Sequence, residues 1–267
     1  MLACVLLLVT VSPAFATWSV IAVDQATQQV VIASATCVAQ RSFANFPAKG
    51  LMDVQAIVVP GKGVAAAQAG VDRTRANQKL IFAEIDRGTD PKQIIELLQA
   101  DPSIDTRQFA VVDLQGRMAG FSGQKNNPAS LDRQDRVAET GIFFSVQGNI
   151  LMSDAVVTAA VDAFKNASGS LSDRVMVAME TADAKGGDKR CTCETEPTVN
   201  APCDGKTAHV AYILAANATD RSGASFNDGT YTLYVSATDA DITSSENANP
   251  VKTLRMRYEV WKKANPG

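Results

Sequence analysis

Residues 17–23 and 29–36 are two β-rich runs separated only by the polar stretch Asp24-Gln25-Ala26-Thr27-Gln28. A connection that short can join only antiparallel neighbours, so the two runs predict a hairpin. The device recurs. Residues 54–59 and 63–68 flank Pro60-Gly61, residues 109–113 and 117–121 flank Gln115-Gly116, and further runs follow at 141–147, 208–215 and 231–236. Helical patterns fall between them. Leu80, Ile81 and Ile85 share one face of a helix expected over 73–87, and Asp90-Pro91 supplies an N-cap and a first-turn proline for another running through Leu98. Val156, Val157, Ala160, Val161 and Phe164 form a second stripe. Ser170, with Asp173 three residues on, opens a helix carried by Val175, Ala178, Met179 and Ala182 and stopped by Gly186-Gly187. Residues 250–263 form a last helix. The order is hairpins, helix pair, hairpins, helix pair, hairpins, which is not a βαβ wind. It predicts an α+β fold in one domain, with two stacked antiparallel sheets covered by helices on both sides. No internal repeat or long Pro/Gly/Ser linker divides it.

The first sixteen residues do not fit that scheme. Leu2 to Val11 is an apolar run, and Ala14-Phe15-Ala16 after Pro13 is the small-x-small pattern of a signal-peptidase site. The expectation is a signal peptide over 1–16 and a mature domain over 17–267, exported to a secreted or periplasmic location. A basic segment ahead of the apolar run is missing, and Cys4 lies at its start, where a lipid anchor would not be made. Removal of the leader takes Cys4 with it and leaves Cys37, Cys191, Cys193 and Cys203. An even count in an exported protein favours disulfides. Cys191 and Cys193 are too close to pair with each other, so Cys203 is expected to take one of them and Cys37 the other. The rival use is zinc, needing four thiolates or His209 in place of one, although C-x-C-x9-C is not a finger spacing.

The net charge of −3 and the absence of a Lys/Arg cluster give no reason to expect nucleic acid. No apolar stretch after the leader is long enough for a membrane span. Cofactor motifs are absent, so none is implied: there is no Walker loop, no H-E-x-x-H and no G-x-G-x-x-G opening a helix. Gly61-Lys62-Gly63 is a turn. A Ser-His-Asp triad would rest entirely on the single histidine, His209, which reads as a strand residue near Tyr212. Asp239 and Asp241 read as solvating a loop rather than binding a metal. Self-association into a homo-oligomer is compatible with the sequence but nothing in it demands one.

One feature remains. Cleavage after Ala16 would leave Thr17 at the N-terminus, at the head of a strand that holds it rigidly. An N-terminal threonine carries a nucleophile and a base on one residue. Its α-amine, with an ordinary pKa of about 7.7–8.0, can take the Oγ proton, so no histidine is needed.

Several motifs then occur in the order of a known family. Thr17-Trp18-Ser19-Val20-Ile21-Ala22-Val23-Asp24 resembles the opening Thr-aromatic-Ser-hydrophobic-hydrophobic-Ala-x-Asp of the domain of unknown function 1028 family. Ser145-Val146-Gln147-Gly148-Asn149-Ile150-Leu151 is similar to its Val-Gln-Gly-Asn-hydrophobic-Leu motif, and Ala184-Lys185-Gly186-Gly187-Asp188-Lys189-Arg190 to its Ala-x-Gly-Gly-Asp-x-Arg motif. Ala65-Ala66-Ala67-Gln68 resembles its Ala-Thr-Gln strand end, and Val111 to Arg117 its hydrophobic-Val-Asp-x-x-Gly-Arg run.

The resemblance implies a four-layer αββα sandwich of the N-terminal-nucleophile (Ntn) hydrolase type, a superfamily that mostly cleaves amide bonds. It implies a small-molecule or peptide-like amide substrate. It also assigns roles: Thr17 as nucleophile with its own amine as base, and Gln147 and Asn149 as amide donors to an oxyanion or a substrate carbonyl. Gly148 would permit close backbone approach, Asp188 would hold the α-amine, and Arg190 would fix Asp188 or a substrate carboxylate. The plainer readings are a strand-end turn at 147–149 and a helix C-cap with a surface ion pair at 186–190. The sequence departs from the family in residues 37–53, which look lengthened, in an insertion at 191–206 directly after the Gly-Gly-Asp-Lys-Arg motif, and in the tail at 239–249. Because that insertion adjoins a presumed site motif, the alternative function is a non-catalytic exported binding or structural protein on the same fold.

Overall fold

In the computed structural model residues 17–223 and 227–266 are described; the expected leader lies outside them. Strands β1 (Thr17–Asp24) and β2 (Gln29–Thr36) form the expected hairpin, paired from Thr17↔Thr36 to Asp24↔Gln29. β3 (Ala56–Val59) pairs with β4 (Gly63–Ala69), and β5 (Arg107–Asp113) with β6 (Met118–Ser122). β7 (Leu131–Val137) precedes β8 (Ile142–Asn149), and β9 (Val210–Ala216) pairs with β10 (Leu233–Thr238). They build a six-stranded antiparallel sheet in the order β10-β9-β2-β1-β8-β7 and a four-stranded one in the order β3-β4-β5-β6. The helices are α1 (Leu51–Gln55), α2 (Ala76–Arg87), α3 (Pro91–Leu98), α4 (Ala155–Asn166), α5 (Leu171–Ala184) and α6 (Pro250–Ala264).

Alternation along the strands sorts their side chains into layers. Trp18, Val20 and Ala22 of β1 pack on one side with Val156, Ala160, Phe164, Met179 and Leu254 of α4, α5 and α6. Ile21 and Val23 face the other way, onto Val58, Val64, Ala110 and Val112 of the second sheet. The outer face of that sheet, with Ile57, Ala65, Phe109 and Val111, packs on Ile81, Ile85, Ile94 and Leu98 of α2 and α3. Helices therefore cover the outer face of each sheet. Each Val, Leu or Phe so buried contributes roughly 1.5–3 kcal/mol, so the apolar layers outweigh any one polar contact.

The helix ends follow the sequence signals. Asp90 accepts from Lys92 N at 2.9 Å ahead of Pro91, and Ser170 and Asp173 close a capping box. Several boundaries differ from the sequence reading, among them β9, which starts at Val210 rather than 208. Val54 lies in α1, not in a strand, so β3 starts at Ala56. The helix expected from residue 73 starts at Ala76, because Arg75 is left-handed (φ 60°) and Asp72 Oδ2 accepts from Asn77 N. The last strand starts at Leu233 rather than 231. β7 was not expected at all: Leu-Asp-Arg-Gln-Asp-Arg-Val is a half-exposed, charged edge strand, which lacks the apolar alternation that marks inner strands.

The cysteines form Cys37–Cys191 and Cys193–Cys203, in line with the expected exclusion of a Cys191–Cys193 bridge. Two disulfides fit an oxidising, extracytoplasmic setting, and the four-thiolate zinc arrangement is not formed. Among the described residues no helix is long and apolar enough to cross a membrane.

Candidate functional site

Between the sheets the apolar layer ends at one edge and a buried polar layer takes over. The register of β1 with its neighbours sets Thr36, Thr17 and Asn149 side by side, and Ser34, Ser19 and Gln147 in the same-facing row two residues inward. Opposite them stand Gln68 of β4 and Gln108 of β5, themselves paired in register. All of these side chains are buried.

Gln68 is the hub. Its Oε1 accepts from Ser19 Oγ and from Gln55 Nε2, each at 2.7 Å, while its Nε2 donates to the Thr17 carbonyl at 3.0 Å and to Gln108 Oε1 at 2.7 Å. Every hydrogen-bonding position of the amide is used, as burial of so polar a group requires. Gln108 Nε2 in turn donates to Ser122 Oγ at 2.7 Å and to the Gly148 carbonyl at 2.9 Å, and Asn149 Nδ2 reaches Gln108 Oε1 at 3.4 Å. The Thr17 hydroxyl donates to Thr36 Oγ1 at 3.3 Å. Gln147 Nε2 makes a long bond to the Ala66 carbonyl (3.4 Å), and its buried Oε1 has no partner.

Two backbone outliers frame this layer. Ala69 (φ 69°) and Ile150 (φ 52°) follow Gln68 and Asn149 directly and are left-handed. A non-glycine residue in that region costs on the order of 1–3 kcal/mol, more for β-branched Ile150 than for Ala69, so the fold spends stability to end both strands here. Gly148 has its own reason to lack a side chain: a Cβ there would come within 2.7 Å of Leu151 Cδ1, whose side chain folds back over it.

At the head of β1 the sheet is completed by the segment after α5. Gly186 (φ 97°) ends that helix in the left-handed region, and Gly187 lets the chain pass the Trp18 ring, which a Cβ would meet at 2.7 Å. Asp188 then bridges Leu151, beyond the end of β8, and its Oδ2 accepts from Cys37 N at 3.0 Å, beyond the end of β2. β8 and β2 are the two strands that flank β1. The carboxylate therefore stands on the side from which the chain enters β1. Arg190 grips it from N and Nε to Oδ1 (3.1 and 3.0 Å) and from Nη2 to Oδ2 (2.7 Å). Asp188 is fully buried while Arg190 keeps about a third of its side chain exposed (35%), so the pair runs from the surface to a buried carboxylate. A carboxylate held by an Arg fork and two backbone N–H groups is strongly fixed in place.

Thus the structure sets Thr17 beside Asn149 on neighbouring strands, with Gln147 on the same face one row inward, and Asp188 with Arg190 near the strand head. Sequence reasoning missed the hub and its partners. Gln68 was noticed only as a strand end, and Thr36, Gln55 and Gln108 not at all. The readable signal was a lone polar residue at an inward position of an otherwise apolar strand. Beside Thr17 lies a cavity of about 10 Å³, about the room one water needs, walled by Leu51, Val54, Val71 and Phe109 and by Gln55 and Gln78. The Gln78 Oε1 is buried without a partner.

His209 takes no part in a triad. It precedes β9, its Nδ1 makes no hydrogen bond, and the nearest carboxylate oxygen, Asp239 Oδ2, is 3.7 Å away. Burial, then the charges of Lys206 and Arg41, push its pKa down to about 4, so the imidazole is neutral near pH 7. Asp239 does not solvate a loop: its side chain is only 4% exposed, it accepts from Gln40 N at 3.1 Å, and desolvation raises its pKa. Asp241 accepts from Thr238 N at 2.9 Å and pairs with Arg257.

Residues 17–194 match the model of a family described as a family of unknown function, DUF1028. No curated protein matches. Among solved structures, the chain resembles the crystal structure of protein SPO2555 from Silicibacter pomeroyi, which carries the same family label. That likeness has a TM-score of 0.63 over 92% of this chain and 89% of the other, at 18% identity, and it bears on the fold alone.

Proposed function

Since the chain belongs to the DUF1028 family, whose function is unknown, its chemistry has to come from its own site, and we propose an exported Ntn-type amide hydrolase with Thr17 as nucleophile. The observation that carries this reading is the placement of Thr17: first residue of the central strand β1, hydroxyl on the polar inter-sheet layer, carbonyl held by Gln68. The layered arrangement of helices on two stacked sheets supports the Ntn-type sandwich. Leader removal after Ala16 would turn the Thr17 peptide nitrogen into an amine facing the Asp188 carboxylate.

The chemistry then follows. The neutral amine takes the proton of Oγ1, directly or through one water, and the oxygen attacks the amide carbonyl carbon. The oxyanion is stabilised by amide N–H donors of Asn149 and Gln147, and collapse expels the amine with the proton held on the α-nitrogen. Water, activated by the same amine, cleaves the resulting ester. Asp188, fixed by Arg190, orients the amine; no metal or cofactor is needed for these steps.

One observation favours the non-catalytic alternative: the cavity beside Thr17 admits about one water. A β-lactone or other electrophilic amide mimic distinguishes the two. With the protein processed to Thr17, covalent mass gain mapped to Thr17 and absent in Thr17→Ala supports hydrolysis. No labelling of the processed protein, or equal labelling of a form carrying one extra residue before Thr17, counts against it. The extended form has a peptide nitrogen there, which cannot act as base.

A further inference from the structure

The register of the six-stranded sheet sets Ala35, Ala211 and Ala237 in one row across β2, β9 and β10, facing the helices. Two residues further along, the same face carries Cys37, His209 and Asp239. The row is held together by His209 N donating to the Thr36 carbonyl at 2.7 Å and Asp239 N donating to the His209 carbonyl at 2.8 Å. Cys191 enters from the segment after Arg190 and closes the disulfide with Cys37. The two sulfurs and one imidazole nitrogen of His209 all lie within 4.8 Å of one another.

We propose that, when the Cys37–Cys191 disulfide is reduced, Cys37, Cys191, His209 and Asp239 bind a zinc-class divalent cation. This set uses two thiolates and a carboxylate, unlike the site of four thiolates, or three with His209, weighed from the sequence, and it is independent of the chemistry at Thr17. Tetrahedral zinc with bonds of about 2.0–2.3 Å places its ligand atoms about 3.3–3.8 Å apart, so the sulfurs must separate and the imidazole approach only slightly. His209 is 1% exposed and its Nδ1 has no hydrogen-bond partner, an orphaned donor-atom position that a buried imidazole rarely tolerates. Asp239 lies outside the group of two sulfurs and one nitrogen, but its Oδ2 stands 3.7 Å from His209 Nδ1 and the carboxylate is steadied by Gln40 N, so a small inward shift would bring it in as the fourth ligand. Two thiolates with one carboxylate would outweigh the charge of the dication.

The redox step balances. Two electrons and two protons from a dithiol, which closes to its own disulfide, break the S–S bond and leave two thiols. The cation then displaces both protons to solvent. It would replace the covalent tether and keep the Asp188–Arg190 segment docked at the end of β2 in a reducing setting.

The test uses the chain with Cys4→Ser, Cys193→Ser and Cys203→Ser, which leaves Cys37 and Cys191 as its only thiols. A phosphine performs the reduction without competing for metal: it takes the oxygen of one water, whose protons go to the sulfurs. Anaerobic titration with Co²⁺ is expected to give thiolate-to-cobalt charge-transfer absorption saturating at one ion per chain, and added Zn²⁺ to bleach it and raise the melting temperature. The oxidised protein should give neither. His209→Ala should weaken binding by roughly 100-fold or more and Asp239→Asn by roughly 10-fold, with near-UV circular dichroism checking the fold. No saturable charge-transfer band in the reduced parent, or the same uptake by the oxidised one, overturns the site without recourse to any ligand variant. Undiminished affinity in folded His209→Ala or Asp239→Asn overturns the ligand set.

Discussion

Replacing Gln68 tests whether the inter-sheet polar layer is a saturated network or an accidental cluster. Gln68→Leu is similar in size but strips Ser19 Oγ and Gln55 Nε2 of their acceptor and the Thr17 carbonyl of a donor, while Gln108 Oε1 keeps only its 3.4 Å contact with Asn149. Two stranded buried donors at about 1–3 kcal/mol each, plus about 1 kcal/mol for each lost acceptor contact, exceed the roughly 2 kcal/mol gained by burying leucine. The expected net loss is about 2–6 kcal/mol. Gln68→Glu is the sharper variant. One carboxyl oxygen keeps the Ser19 and Gln55 bonds, but the other replaces Nε2 and faces two acceptors, the Thr17 carbonyl and Gln108 Oε1. Only the protonated acid can donate there, so its folded-state pKa must rise above the unfolded value of about 4.3. Such a group costs little below the unfolded pKa. As pH rises toward the folded pKa, stability falls by about 1.4 kcal/mol per unit and then levels off. Urea unfolding from pH 4 to 8, followed by tryptophan fluorescence with buried Trp18 as reporter, should show the Gln68→Glu deficit widening with pH. The Gln68→Leu deficit should stay constant. A Gln68→Leu loss under about 1 kcal/mol, or a Gln68→Glu deficit that is flat with pH, would refute the saturated hub.

Three further outcomes follow from packing and charge. Gly187→Ala should destabilise by roughly 1–3 kcal/mol, because the new Cβ meets the Trp18 ring at 2.7 Å and φ is +42°; calorimetry together with a shifted Trp18 fluorescence maximum checks it. Phe164→Ala removes the ring stacked on Phe144 at a 4.0 Å centroid distance and should cost about 3–5 kcal/mol in chemical denaturation. Glu246 has its pKa lowered to about 2, chiefly by the Arg257 hydrogen bonds. A depressed carboxylate contributes stability above its unfolded pKa and loses it as pH falls toward 2. Glu246→Gln should therefore cost on the order of 1 kcal/mol at pH 7, after solvent screening of a surface pair, and the difference should close between pH 4.5 and 2.

How much of this was legible in the sequence depends on what kind of signal each part leaves. Elements that bury an apolar face were readable because burial imposes a period. The β1–β2 hairpin, the Asp90-Pro91 start of α3 and the Ser170 capping box stand where the sequence put them. β7 escaped because an edge strand carries charges where an inner strand carries valines, so its pairing with β8 is a tertiary fact. The start of α2 was misplaced for a different reason: Asp72 accepts from Thr74 N and Asn77 N, a local cap that places Arg75 in the left-handed region and that the apolar period does not report.

The site divides along the same line. Thr17 was legible from the cleavage pattern ahead of it, and Gln147, Asn149, Asp188 and Arg190 from family motifs, each a short run of chain. Gln68 was not nominated, although it touches Ser19, Gln55, Thr17 and Gln108, because those contacts span up to 51 positions and appear only when two sheets stack. An inward-facing glutamine on an apolar strand is a conflict between local pattern and burial. Such a conflict is tolerated only where partners from other elements resolve it. Gln68 and Gln108 resolve each other, and between them they hold the Thr17 carbonyl and the Gly148 carbonyl on adjacent strands. The polar layer therefore fixes the backbone on which the Thr17 hydroxyl and the Asn149 amide are displayed. Any chemistry at Thr17 depends on those two glutamines as positioning residues, whether or not they ever touch a substrate.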